Sequence, residues 1–210
     1  MDEVNTLDAQ QADALTELIN IAFGLTASKL SKISGSRVLI DAPIVSIHPM
    51  DDVIREMALL EAGEVVVINQ AFTGAISGNA MLLLDYEGAV RFSNIFVEEN
   101  LQSPRLDSVT SEILTETGNM LLGACLGVFG NLLEVRISFS VPELYLESLK
   151  PLLATLSFSG EEARHAVVVA TSFRIRQYEV AGQFAIALTE SSLERLIQAV
   201  EVWEGTQCTA

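Results

Sequence analysis

Histidine, cysteine and basic side chains are scarce in this chain. Its 210 residues include two histidines, two cysteines and 12 lysines and arginines, against 28 aspartates and glutamates. His48 and His165 stand alone, His48 beside Pro49, so both read as structural or surface residues. There is no H-x-x-E-H pair, no G-x-S-x-G nucleophile and no phosphate-binding glycine loop, which leaves no self-contained hydrolase site. "SGSR" and "TGAISGN" are turn signals. Cys125, inside an apolar run, and Cys208, near the C-terminus, make neither a metal nor a redox spacing. A reduced, cytoplasmic setting and no metal in this chain are therefore expected. The net charge of -16 repels phosphate backbones and anionic headgroups, which argues against nucleic-acid and membrane partners. The opening "MDEVNTLDAQQ" is acidic and polar, unlike a secretory leader. The most apolar stretch, "MLLGACLGVFGNLL", is short for a bilayer span and reads as a buried helix face.

What the chain does have is a repeat. "TELINIAFG" (16–24) and "TETGNMLLG" (115–123) share the skeleton T-E-x-x-N-x-x-x-G at an offset of 99 residues. The same offset relates Asp8 to Asp107, each a good N-cap before a long helical pattern, and Pro43 to Pro142. "SRVLIDAPIVSIHP" and "LEVRISFSVPELYL" alternate like half-buried strands, each broken by a proline that marks an edge or strand end. Phe72 and Phe173 are 101 apart, Gly78 and Gly182 104 apart, so "RIRQYEV" reads as a hairpin connection with three extra residues. The expected order is α-β-α-β-β-α, twice. Helices are placed at 8–33, "MDDVIREMALLE", "YEGAVRFSNIFVEE", 107–130, "SLKPLLATLS" and "SSLERLIQAVEVW". The expectation is one α+β domain of two repeats, approximately 6–98 and 105–204, joined by "ENLQSPRLD". Pseudo-twofold halves should share a central antiparallel sheet, with the long exposed helices on one side. Either half alone has too little core.

On the first long helix, Leu15, Leu18, Ile19, Ala22, Leu25 and Thr26 form an apolar stripe. Asp13, Glu17, Asn20, Gly24 and Ala27 form a second stripe, matched by Glu112, Glu116, Asn119, Gly123 and Leu126. Glu and Asn on a helix surface are usually only solvated, and E-x-x-N alone is a weak motif. Shared ancestry explains repeated core residues better than it explains exposed Glu and Asn that persist while Ile19 is replaced by Gly118 and Phe23 by Leu122. A mid-helix glycine costs about 1 kcal/mol against alanine, so carrying it twice points to close approach of another backbone or a partner. A carboxylate can anchor a partner's lysine. A carboxamide one turn away can hold a water through its donor and acceptor ends and orient it for attack.

These residues resemble the signature of the CheC/CheX/FliY phosphatases of bacterial and archaeal chemotaxis, [Asp/Ser]-x3-Glu-x2-Asn-x22-Pro. It reads Asp13, Glu17, Asn20, Pro43 in the first copy and Glu112, Glu116, Asn119, Pro142 in the second. The resemblance covers nearly the whole chain, and two intact copies look like the CheC branch. It implies hydrolysis of the phosphoaspartate of a CheY-type response regulator. Glu17 and Glu116 would pair with the regulator's lysine, Asn20 and Asn119 would position water, and Asp13, Gly24, Glu112 and Gly123 would contact the partner. The resemblance further implies that Mg2+ is held by the regulator and no cofactor by this chain, with the receptor deamidase CheD as a further partner. A non-catalytic adaptor binding a receiver domain or CheD is the alternative. The flagellar-switch domain that FliY adds is not expected after Trp203. Glu112 replaces Asp or Ser and Leu126 replaces Ala27, so the second site is expected to be the weaker.

Overall fold

Both long helices begin where an aspartate can satisfy their first amides. A computed structural model describes residues 8–35, 37–50, 52–53, 65–96, 102–146, 157–158, 161–162, 165–175 and 178–207. Helix α1 spans Ala9–Ser34; the Asp8 carboxylate accepts from the Gln11 amide at 2.8 Å, and the Gln11 side chain accepts from the Asp8 amide at 2.9 Å. Helix α3 spans Ser108–Leu132, and there Asp107 caps Val109 and Thr110 while the Thr110 hydroxyl returns the bond. The Thr110 amide and hydroxyl hold the Asp107 carboxyl below its ordinary 3.8. Both helices are left through a left-handed residue 99 positions apart, Gly35 at φ 63° and Glu134 at φ 56°.

The strands are β1 (Val38–Ile40), β2 (Ile44–Pro49), β3 (Val65–Gly74), β4 (Gly78–Asp85), β5 (Ile137–Phe139), β6 (Glu143–Leu146), β9 (His165–Ile175) and β10 (Tyr178–Leu188). They form one antiparallel sheet in the order β1–β9–β10–β4–β3–β5, with β2 continuing the β1 edge along β9 and β6 continuing the β5 edge along β3. Two-residue strands β7 (Ser157–Phe158) and β8 (Glu161–Glu162) pair separately. Each half thus lends its broken edge strand to the hairpin of the other half. The breaks are Asp41–Pro43 and Ser140–Pro142, the proline positions expected from sequence.

Helices α2 (Tyr86–Ile95) and α4 (Glu190–Gln207) complete the fold. Residues from α1, α2, α3 and α4 pack with Val66, Ile68, Leu82, Leu84, Val167, Val169 and Phe184 on one sheet face. The alternate residues Val65, Val67, Met81, Leu83, Ala166, Val168 and Ala185 form a second cluster on the other face, with Val53. Two covered faces explain why these strands read as unbroken apolar runs instead of alternating. Leu18, Leu114 and Leu122 are completely buried; truncating such a leucine costs about 2–5 kcal/mol. Cys125 lies in the same core, and burial pushes its thiol up to about 12. Helix α3 is long and apolar enough to cross a membrane by length and composition, and half of its most apolar window is buried inside the fold.

Four expectations need correction or restriction. "RIRQYEV" is not an enlarged loop: Arg174–Ile175 and Tyr178–Val180 are paired strand, so the extra residues lengthen the hairpin. Leu25 is 47% exposed, because the buried stripe runs through Phe23, Thr26 and Leu30 instead. Leu126 is 3% exposed and belongs to the core, not to the contact stripe. Of "MDDVIREMALLE", Met50 and Asp52–Val53 are helical and the rest lies outside the described residues, as does "SLKPLLATLS" except Ser157 in β7.

Candidate functional site

The surface stripe on α1 is as polar in structure as in sequence. Asp13, Glu17, Asn20 and Gly24 are all exposed. No hydrogen bond or ion pair from a described residue reaches the Asp13, Glu17 or Asn20 side chains. On α3, Glu112 and Glu116 are exposed and equally unpartnered, while Asn119 and Gly123 are half-buried. Glu17 and Asn20, like Glu116 and Asn119, are three residues apart and so share one helix face. In both copies a carboxylate with no cation partner among the described residues therefore stands beside a carboxamide.

The glycines behave otherwise than a helix-to-backbone contact would require. A Cβ on Gly24 or Gly123 would meet nothing within 4 Å. The glycine that permits close packing is Gly118, where a Cβ would stand 2.6 Å from Ile68 Cδ1. Ile19 fills the corresponding place on α1. Helix α3 therefore settles closely onto β3 at the residue next to Asn119.

That settling brings in a residue the sequence reading missed. Gln70, on β3 and 3% exposed, donates from Nε2 to Asn119 Oδ1 at 2.8 Å and to the Ser140 carbonyl at 3.0 Å. Ser140 belongs to the proline break: its amide donates to the Ala71 carbonyl at 2.9 Å, and its hydroxyl accepts from the Ala71 amide at 3.1 Å. In the other half the matching strand residue is Thr171, whose hydroxyl donates to the Asp41 carbonyl at 2.9 Å. Thr171 supports its break as Gln70 does but does not hydrogen-bond to Asn20. The signal in the sequence was an amide within "VVVINQAF", an apolar strand whose partner copy carries a threonine there.

The site is a surface, not a cavity. A cleft of about 370 Å3 lies elsewhere, lined by Ala75, Leu132, Val135, Arg195, Val202 and Trp203 among others, and no sequence-predicted site residue lines it. Among the described residues no group of three or more His, Cys, Asp or Glu is placed to hold a metal ion.

No family model matches the chain. It is 23% identical over 202 residues to the CheY-P phosphatase CheC of Bacillus subtilis (strain 168), covering 93% of this chain and 96% of that protein. The crystal structure of Thermotoga maritima FliY superposes with a TM-score of 0.72 at 21% identity, covering 94% of this chain and 98% of that one. The chain is similar to members of the CheC/CheX/FliY/FliM family. The FliM middle domain from H. pylori shares the fold at a TM-score of 0.63 and 12% identity, covering 92% of this chain and 99% of that one. The α+β architecture with an antiparallel sheet and helices is thus the fold of FliY and FliM. Within the CheC/CheX/FliY/FliM frame, the proline of the signature acquires a physical reason. It breaks the edge strand, and the carbonyl two residues before it turns to a side chain of the neighbouring strand.

Proposed function

We propose that this protein dephosphorylates the phosphoaspartate of a CheY-type response regulator. The observation that carries the reading is the Glu and Asn three residues apart on each long helix, Glu17 with Asn20 and Glu116 with Asn119, both carboxylates being exposed and without a partner among the described residues. It is supported by similarity to a CheY-P phosphatase along 93% of the chain. An exposed helix face can lie across the regulator's phosphorylation site. Glu17 or Glu116 then meets the regulator's lysine in a charge-assisted pair. Asn20 or Asn119 holds a water in line with the phosphoryl group, positioning the nucleophile without ionising. The divalent ion that the reaction needs is carried by the regulator, and this chain supplies no cofactor. The reading places the protein in the cytoplasm with its substrate, and leaves CheD as a further partner to be tested by direct binding.

The test is to mix the protein with phosphorylated CheY-type regulators and follow loss of phosphate. Asn20→Ala and Asn119→Ala singly should leave the other site working. The double variant should lose hydrolysis by about 100-fold or more while still binding the regulator, because an oriented water acts on the chemical step. Undiminished hydrolysis in the double variant would remove both carboxamides from the mechanism. Glu17→Lys and Glu116→Lys should instead weaken binding.

A further inference from the structure

We infer that Gln70 is a positioning residue that fixes the Asn119 carboxamide in one orientation, and that the first site has no counterpart to it. The inference rests on the reading of Asn119 as the water-orienting group. Its starting point is the Ser140 backbone carbonyl, which can only accept. Gln70 must therefore turn its NH2 group, not its oxygen, toward Ser140, and the contact is 3.0 Å. The other proton of that NH2 goes to Asn119 Oδ1 at 2.8 Å. Reversing the Gln70 amide would aim Oε1 at the Ser140 carbonyl, so the orientation cannot invert. It is kept even though it leaves Gln70 Oε1 buried with no hydrogen-bond partner. With its oxygen held inward, Asn119 presents the two protons of Nδ2 outward, toward phosphoryl oxygens. The second lone pair of Oδ1 remains available to accept a hydrogen bond from water.

The first site lacks each part of this device. Thr171 is too short to do more than hold the Asp41 carbonyl, at 2.9 Å. Ile19 stands where Gly118 lets α3 approach the sheet. Asn20 is exposed and has no hydrogen-bond partner among the described residues. Its side chain must be ordered on the way from the docked complex to the transition state, whereas Asn119 is ordered on folding. The second site is therefore the faster in turnover, which reverses the order expected from Glu112 and Leu126.

The experiment uses the full chain in an Asn20→Ala background, so that only the second site works. Gln70→Thr places at residue 70 the side chain that already supports the other proline break, so the Ser140 carbonyl keeps a donor while Asn119 loses its own. The expected result is a fall in kcat of roughly three- to tenfold with KM unchanged, the ordering cost of one side chain. Unchanged kcat would overturn the proposal. A second measurement needs no variant: side-chain amide NMR on the wild-type protein should show the Asn119 NH2 rigid and slow to exchange and the Asn20 NH2 mobile. Equal mobility of the two would also overturn it. The NMR difference survives if the phosphatase reading fails, and hydrolysis lost in the Asn20→Ala, Asn119→Ala double variant survives if only the positioning role fails.

Discussion

Gly24 and Gly123 interrupt good helix sequence without any contact inside the chain that requires them. Alanine at either place should raise stability by about 0.5–1 kcal/mol, because it removes backbone freedom from the unfolded chain and adds helix propensity. If the stripe is a docking face, Gly24→Ala should at the same time weaken regulator binding. Thermal unfolding and binding measured on the same preparation check both, and a gain in stability with untouched affinity would take Gly24 off the interface. These residues also mark how far the site could be read from sequence. Helical spacing and recurrence placed Glu17, Asn20, Glu116 and the glycines on one outward face, because such positions depend only on the helix they belong to. Gln70, Gly118 and the burial of Leu126 depend on how α3 meets β3, a distance that no periodicity encodes.

At the scale of the element, the approach of α3 to the sheet is a property of Gly118. Gly118→Ala would put a methyl 2.6 Å from Ile68 Cδ1, so the usual propensity gain should be outweighed by overpacking of about 1–3 kcal/mol. Ile68→Val in the same chain should restore part of the loss; urea unfolding of the single and double variants measures it, and additive losses would count against direct contact. The start of α3 carries a pH signature. Because its hydrogen bonds to Thr110 and Val109 depress the Asp107 carboxyl below 3.8, its contribution is fully present above that pH and is lost as pH falls through the lower folded value. The stability difference between wild type and Asp107→Asn should therefore shrink in acid, in urea titrations taken from pH 6 to pH 2; a difference constant with pH would contradict the cap. Both caps, both long helices and both prolines were legible because each is written in a few adjacent residues. The lengthened second hairpin was not: "RIRQYEV" carries enough polar residues to read as a loop, and pairing across a turn is decided by the partner strand.

For the whole molecule, the exchange of edge strands decides what can fold alone. Strands β1 and β2 pair with β9, and β5 and β6 with β3, so neither half contains the neighbour of its own edge. Fragments 1–100 and 101–210 should each be largely unfolded by circular dichroism. Mixed together, they should recover structure in a concentration-dependent way; an independently folded fragment would contradict the exchange. The sequence indicated that the halves correspond, but not that they trade strands, since swapped and unswapped pairings bury the same apolar residues.

Besides the sheet, the halves meet at two junctions among the described residues. Between α2 and α3 the backbone runs on, clasped where the Asn94 side chain donates to the Ser103 carbonyl at 2.7 Å and accepts from its amide at 3.0 Å. Between the end of α4 and the start of α1 side chains make the hydrogen bonds among the described residues: Gln11 donates to Glu201 at 2.7 Å, and Gln10 to Glu204 at 3.3 Å. The fold is thus a closed ring of elements held covalently at one seam and by hydrogen bonds at the other. Reading order around such a ring is arbitrary: a permuted gene running from α3 through α4 into α1 and ending at α2 would thread the same sheet through the same neighbours.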